Sequence, residues 1–343
     1  MSFEYVRKLP TPEEARALMP LSANLKALKN QRDTVIRDIL QGKSSLFLVI
    51  IGPCSADDQE AVLDYTVRLS ALQEKVKDKI LLVPRVYTSK PRTTGEGYKG
   101  MMHQPNPNEK ENISKGVFAL RSLHLKVIEE SGLTAADEML YPTNYPYVED
   151  ILSYIAVGAR SVENQHHRLT SSGIDVPVGM KNPTSGDLSV IINSIKAAQL
   201  PHGFIYNGYE VKTSGNPYAH AMLRGAVDQY GRNIPNYHYD DIMHLIEKYQ
   251  AAELENPAII VDTNHSNSMK KYEEQPRIAH EILTSINYSK DIKSMVKGII
   301  IESYIKDGRQ DTPGEEYGKS ITDACLGWEK SERLVLDIAD KLK

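Results

Sequence analysis

The chain has 343 residues, 41% hydrophobic and 25% charged, with a formal net charge of -4 and two cysteines, Cys54 and Cys325. That is the composition of a soluble globular protein long enough for one large α/β domain or two ordinary ones. It excludes a disulfide scaffold and a global basic field drawing the chain to nucleic acid or a membrane surface, and the longest apolar run, LFLVII, is too short to span a bilayer.

In chain order, the N-terminus MSFEYVRKLPTPEEARALMP lacks the apolar core of a signal peptide. With two cysteines and no CxxC pair, the expected compartment is a reducing cytoplasm. Residues 1–45 read as an extension, with a helix over 24–40 ended by Gly42. From residue 46 short apolar runs alternate with amphipathic segments. Candidate strands fall at 46–55, 80–87, 134–140, 159–164, 176–182, 202–208, 258–266 and 296–303. Between them Val62, Tyr65, Leu69, Leu72 and Val76 share a helical face, as do Leu188, Ile191, Ile192 and Ile195, and later Leu334, Ile338 and Leu342. Eight such units predict a (β/α)8 TIM barrel over 46–343, with an open doubly wound sheet as the alternative. Residues 209–234 are too many for a simple connection and predict a β-ribbon insertion after strand 6, ahead of a helix at 238–252.

The strands end in ionisable groups: Cys54; Arg85 with Lys90 and Arg92; Glu138; Arg160 with Glu163; Lys181; Asn207; Asp262 with His265; Glu302. In a barrel enzyme these ends form the catalytic face. Buried charges are costly without partners, so the set either forms a ring of structural ion pairs or serves a ligand. One subset is cationic: Arg85, Lys90, Arg92, Arg160, Lys181 and Arg224. Their convergence calls for a ligand with several negative charges, for which arginine forks and lysine point charges are suited. GAR (158–160) adds backbone N–H groups for a phosphate. The second subset, Cys54, His265, Glu302 and Asp323, offers a thiolate, an imidazole and two carboxylates. Together these suit Mn2+, Fe2+, Co2+ or Zn2+ better than Mg2+, although the four lie far apart with no motif spacing.

The segments IIGPCS, KPRTTG followed by GYKG, GAR, PVGMKN, KTSGN, LRG, DTNHSNS, IES and YGKSITDACLGWE occur in this order. Over about residues 45–330 the chain thereby resembles the class I 3-deoxy-D-arabino-heptulosonate-7-phosphate (DAHP) synthases, in their enterobacterial and fungal aromatic-amino-acid-sensitive branch. KPRT separates this branch from the octulosonate-phosphate synthases on the same barrel. The resemblance implies the first step of the shikimate pathway, condensation of phosphoenolpyruvate with erythrose 4-phosphate and water to DAHP and phosphate. It implies a divalent metal on Cys54, His265, Glu302 and Asp323 and phosphoenolpyruvate on Arg85, Lys90, Gly158, Ala159, Arg160, Lys181 and Arg224. Erythrose 4-phosphate falls to Lys90, Pro91, Arg92 and Thr93. Lys90 would touch both substrates and donate a proton, and Glu138 or a metal-bound water would activate the attacking water. A homodimer or homotetramer is implied too. Regulated relatives hold phenylalanine or tyrosine in a pocket outside the catalytic mouth, where this chain differs at Tyr141, Tyr145, Asp175 and Tyr206; weak or absent feedback is the expectation. Another phosphoenolpyruvate–aldose condensing enzyme and a non-catalytic phosphosugar sensor are the competing readings.

Overall fold

FLVIIG forms β1 (Phe47–Gly52), buried at every position. A strand without polar alternation must be covered on both faces, as in a parallel sheet wrapped by helices. The computed structural model describes residues 2–342 apart from Thr93 and Pro313. Seven more strands complete the main sheet: β2 (Ile80–Pro84), β3 (Ala136–Glu138), β4 (Tyr154–Val157), β5 (Val178–Lys181), β6 (Ala219–Leu223), β7 (Ile259–Asp262) and β8 (Val296–Glu302). All pairings are parallel, in the order β2-β1-β8-β7-β6-β5-β4-β3. The ends meet where Arg85 bridges Ala136 and the Val86 N–H donates to the Ala136 carbonyl at 2.9 Å. An open sheet would leave β2 and β3 as separate edges, so the (β/α)8 barrel is the architecture.

Helices α1 (Pro12–Leu18) and α2 (Ala23–Leu40) precede the barrel. Within it the crossovers use α3 (Gln59–Val76), α4 (Ile113–Ser131), α5 (Gln165–Ser171), α6 (Leu188–Gln199), α7 (Tyr239–Ala252) and α8 (Gln275–Tyr288), with a short α9 (Lys290–Met295) before β8 and α10 (Trp328–Lys341) after it. The connection after β3 has a 3-10 turn, Tyr145–Tyr147, in place of a helix. Caps set the boundaries: Asp58 accepts from Glu60 and Ala61 N–H groups at the start of α3, and Gly132 ends α4 at φ 68°.

Strand alternation divides the apolar side chains into two cores. Val49, Ile51, Leu82, Val178 and Val261 face the helices. Leu48, Ile50, Val83, Ala156, Ile260 and Ile300 fill the barrel, and Ile36, Ile39 and Leu40 of α2 join them. The N-terminal extension thus seals the inner core. Full burial of three large aliphatic side chains contributes about 1.5–3 kcal/mol each. Among the described residues no helix is long and apolar enough to cross a membrane.

Two strands lie elsewhere than the sequence pattern suggested. The fourth is Tyr154–Val157, and 159–164 is the loop beyond it. Residues 203–206 are not in the barrel. They pair antiparallel with 209–212 as an outer ribbon, half-exposed along its length, whereas AHAML (219–223) is fully buried as β6. Central burial overrides the weak strand propensity of Ala, His and Met. The ribbon therefore precedes the sixth barrel strand, and a second short one (226–227 with 233–234) follows it. Asn207 consequently sits in the ribbon's turn, at φ 50°, and ends no barrel strand.

Candidate active site

Past β1 the chain turns through Gly-Pro to Cys54. Gly52 is required there, because a Cβ would stand 2.3 Å from the Arg85 carbonyl oxygen. The donor atoms of Cys54, Glu302 and Asp323 all lie within 4.8 Å of one another. His265 falls outside that trio, yet its Nε2 is 3.8 Å from Glu302 Oε1 and its Nδ1 is 2.8 Å from Asp262 Oδ2. His265 has φ 50°, a conformation uncommon for a non-glycine residue. Glu302 is fully buried. Its Oε2 accepts from Asn264 Nδ2 at 2.6 Å, while its Oε1 has no hydrogen-bond donor among the described residues. A buried carboxylate oxygen that Arg85 faces as an ion pair but that accepts no hydrogen bond, beside a thiol, an imidazole and a second carboxylate, fits a borderline-soft divalent ion.

Lys90 reaches into this cluster. Its ammonium contacts Cys54 Sγ and lies 3.4 Å from Asp323 Oδ2. Burial opposes the charge, but Cys54, Asp323 and Glu302 outweigh it and raise the Lys90 pKa. Burial, and then Glu302, push the Cys54 thiol up to about 11. The Asp323 carboxyl is held low against its burial by Lys90, His265 and Lys270. Cys325, the second free thiol, places its Sγ 3.4 Å from the Cys54 N–H.

The cationic side is built by other strands. The Arg85 guanidinium is 2% exposed, stacked 3.7 Å over Tyr87, bonded to the Pro53 carbonyl and 2.9 Å from Glu302 Oε1. Lys181 Nζ lies 3.9 Å from Glu138 Oε2 and 3.8 Å from Asp262 Oδ2. Arg224 donates to Ser266 Oγ at 3.4 Å; burial, with Arg160 nearby, lowers its pKa, so an anion there would be welcome. At Gly158 a Cβ would fall 2.5 Å from Glu138 Oε1, so the GAR backbone packs directly on that carboxylate.

These groups line one cavity of about 280 Å3, whose wall includes Arg85, Lys90, Pro91, Arg92, Glu138, Gly158, Ala159, Arg160, Lys181, Arg224, His265 and Asp323. The cations thus share one chamber with His265 and Asp323, whereas Cys54 and Glu302 do not line it and meet its wall through Lys90 and Arg85. Thr93 lies outside the described residues, and Glu163 is exposed and not in the wall. Sequence reasoning missed Tyr87, the platform for Arg85, and Lys270, another cation in the wall. Tyr87 was legible as the aromatic end of ILLVPRVY; nothing distinguishes Lys270 from surface lysines. Of the four positions expected to differ from regulated relatives, Tyr145 and Tyr206 meet in a separate cavity of about 270 Å3 with Phe204; Tyr141 and Asp175 do not line it.

A closed parallel barrel with a metal-donor cluster and a ring of cations at its strand ends defines a (β/α)8-barrel enzyme for anionic substrates. The DAHP synthetase I family profile matches residues 21–336. The Tyr-sensitive phospho-2-dehydro-3-deoxyheptonate aldolase of Salmonella typhimurium is 38% identical over 339 residues, covering 96% of this chain and 92% of that protein. The Phe-sensitive enzyme of Escherichia coli is 37% identical over 349 residues, 96% of each chain. The solved structure of phospho-2-dehydro-3-deoxyheptonate aldolase from Francisella tularensis superposes with a TM-score of 0.92 at 30% identity, covering 100% of this chain and 98% of that one. The chain belongs to the DAHP synthetase I family.

Proposed function

We propose that the protein condenses phosphoenolpyruvate with D-erythrose 4-phosphate and water to give DAHP and inorganic phosphate, in the shikimate pathway to aromatic amino acids. The observation that carries this reading is the single chamber in which Lys90 links the metal-donor cluster to the phosphate-binding cations. Cys54, His265, Glu302 and Asp323 would hold the divalent metal, Mn2+, Fe2+, Co2+ or Zn2+. When bound, the metal supplies Lewis acidity toward a carbonyl oxygen.

The chain's own groups do the rest. Arg85, Lys90, Arg160, Lys181 and Arg224 neutralise phosphoenolpyruvate and fix its face, while Lys90, Pro91, Arg92 and Thr93 hold erythrose 4-phosphate, Lys90 touching both. Two anions that repel in water are brought into register, which removes most of the entropic cost of their encounter. C3 of phosphoenolpyruvate bonds to the aldehyde carbon, and the aldehyde oxygen takes a proton. Lys90 is the donor the geometry favours, since its ammonium lies between the cluster and the sugar loop. Water adds at C2, its proton passing to Glu138 or to a second base, and the C–O bond breaks to release phosphate. The same reading makes the protein a cytoplasmic homo-oligomer, a dimer or tetramer.

The deciding measurement is phosphate release with both substrates and Mn2+. Release that requires erythrose 4-phosphate and fails with arabinose 5-phosphate is expected. Release with arabinose 5-phosphate would move the assignment to another condensing enzyme of this barrel. No release with either, from folded metal-loaded protein, would leave a binding protein.

A further inference from the structure

The weakest seam of the barrel lies beside the most important loop. β1 and β2 share five registered pairs, whereas β2 and β3 meet through the single Arg85–Ala136 bridge. The chain then leaves β2 and reaches Lys90 without regular structure. Beyond the Val86 N–H bond to the Ala136 carbonyl, what holds this stretch to β3 is one buried carboxylate. Asp137 accepts from the Thr88 N–H at 2.9 Å, the Thr88 hydroxyl at 2.5 Å, the Glu138 N–H at 2.7 Å and His124 Nε2 at 3.1 Å. Thr88, His124 and Asp137 are 3%, 0% and 4% exposed. His124 Nδ1 has no hydrogen-bond partner among the described residues, so Nε2 is the nitrogen that donates.

The other side of Thr88 is gripped as well. Its carbonyl accepts from the Met102 N–H at 3.2 Å, and Lys90 N–H donates to the Lys99 carbonyl at 3.0 Å. A Cβ on Gly100, at φ 99°, would stand 2.5 Å from that Thr88 carbonyl oxygen. Two residues beyond Thr88, the Lys90 ammonium meets Cys54 and Asp323. One residue beyond Asp137, Glu138 projects toward Lys181. A single carboxylate therefore fixes the backbone beside two groups that both line the reaction chamber.

We propose that Asp137, with Thr88 and His124, positions the Lys90 loop for the condensation and does so without touching substrate. The inference rests on the reaction assigned above. It differs from a purely structural reading of the cluster by what it does to kinetics. Loosening Thr88 moves Lys90 and the sugar-phosphate residues Pro91 and Arg92, but leaves Lys181 on β5 and Arg160 and Arg224 just beyond β4 and β6.

The test compares Thr88→Val, which keeps the volume and deletes the hydroxyl, with Thr88→Ser, which keeps the hydroxyl, in the full-length Mn2+-loaded enzyme. Thr88→Val should lower kcat about tenfold and raise KM for erythrose 4-phosphate, which Lys90, Pro91 and Arg92 all hold, more than KM for phosphoenolpyruvate, which Lys90 alone of these touches, as expected for one lost hydrogen bond at a positioning group. Thr88→Ser should restore most of the loss. Amide hydrogen exchange over 88–92, read without substrate, should be faster in Thr88→Val than in Thr88→Ser. Wild-type kinetic constants in Thr88→Val, whatever its melting temperature, would overturn the proposal, as would equal kinetic losses in the two variants or unchanged exchange. Failure of the reaction assignment would be seen separately, as absent phosphate release in the wild type.

Discussion

Removing the Arg85 guanidinium should destabilise the metal-free protein more than removing Arg85 and the Glu302 charge together. Arg85 NH2 lies 2.9 Å from Glu302 Oε1, with the two side chains 2% and 0% exposed. Burial works against the Glu302 carboxylate, but Arg85, His265 and Lys90 hold its pKa below the usual value. In Arg85→Gln a buried carboxylate loses its closest cation, and breaking such a pair from one side costs about 3–5 kcal/mol. Part of the loss is the guanidinium's stacking on Tyr87, which Gln does not replace. In Arg85→Gln/Glu302→Gln no buried charge is left from the pair, so the double variant should recover at least about 1–2 kcal/mol relative to Arg85→Gln. The sign with pH follows. In the wild type the lowered Glu302 pKa contributes stability above the ordinary carboxyl range and loses it as pH falls through the folded value. In Arg85→Gln the carboxyl protonates more readily, so the gap to wild type narrows on acidification. The assay is equilibrium urea unfolding with chelator present, for wild type, both single variants and the double. Losses that add, with no coupling beyond about 0.5 kcal/mol, would refute the reasoning.

Three further outcomes are expected. Lys90→Ala should lower kcat sharply with the fold intact, whereas Arg92→Ala, whose Nε now donates to the Tyr98 carbonyl at 2.8 Å, should mainly raise KM for erythrose 4-phosphate. A loss confined to KM in Lys90→Ala would remove its proton-transfer role. Burial, with Asp58 adding repulsion, pushes the Asp57 carboxyl up from 3.8 to about 7. The stability tied to its proton is complete below the unfolded pKa and lost as pH rises through the folded one. Asp57→Asn should therefore be more stable than wild type at mildly alkaline pH, by at most about 4 kcal/mol, with the gap closing toward pH ~4; a pH-independent gap in melting temperature would count against the buried charge. Finally, Tyr145, Phe204 and Tyr206 crowd the 270 Å3 cavity beside the outer ribbon. Phenylalanine should inhibit weakly or not at all, and inhibition at micromolar concentration in a steady-state assay would contradict that.

The barrel was legible because its strands are apolar on both faces and its helices are not. FLVIIG and ILLVP have no polar residue to place against water, so they announce buried parallel strands without tertiary information. The same signal misled where a strand is short. GFIY has the aromatic and β-branched residues of a strand and does form one, but in a ribbon whose burial alternates with exposure. AHAML has helix-favouring residues and is a barrel strand because Ala219 and Ala221 pack against the helices while Met222 fills the interior. Propensity reports the local chain; which of two candidate strands enters the barrel is decided by the space between β5 and β7.

Many residues of the cavity wall were legible for a one-dimensional reason: an ionisable group directly after an apolar run has few other uses. Their partnerships were not, because those arise from closure. Glu138, Lys181 and Asp262 stand on β3, β5 and β7, and alternate strands of such a barrel contribute to one layer of its interior, which is why Lys181 lies within 4 Å of both carboxylates. Arg85 and Glu302 belong to the opposite set, at the ends of β2 and β8, with β1 between them. The position on β1 level with Glu302 is Gly52, where any side chain would strike the Arg85 backbone. The glycine of IIGPCS thus sets how closely Arg85 packs on β1, and the Arg85–Glu302 pair leaves Glu302 charged toward Cys54 and Asp323. Asp137 shows the limit of linear reading. It sits next to Glu138 in a polar strand of three residues, and its long-range donors come from positions 88 and 124; only the seam between β2 and β3 brings them together.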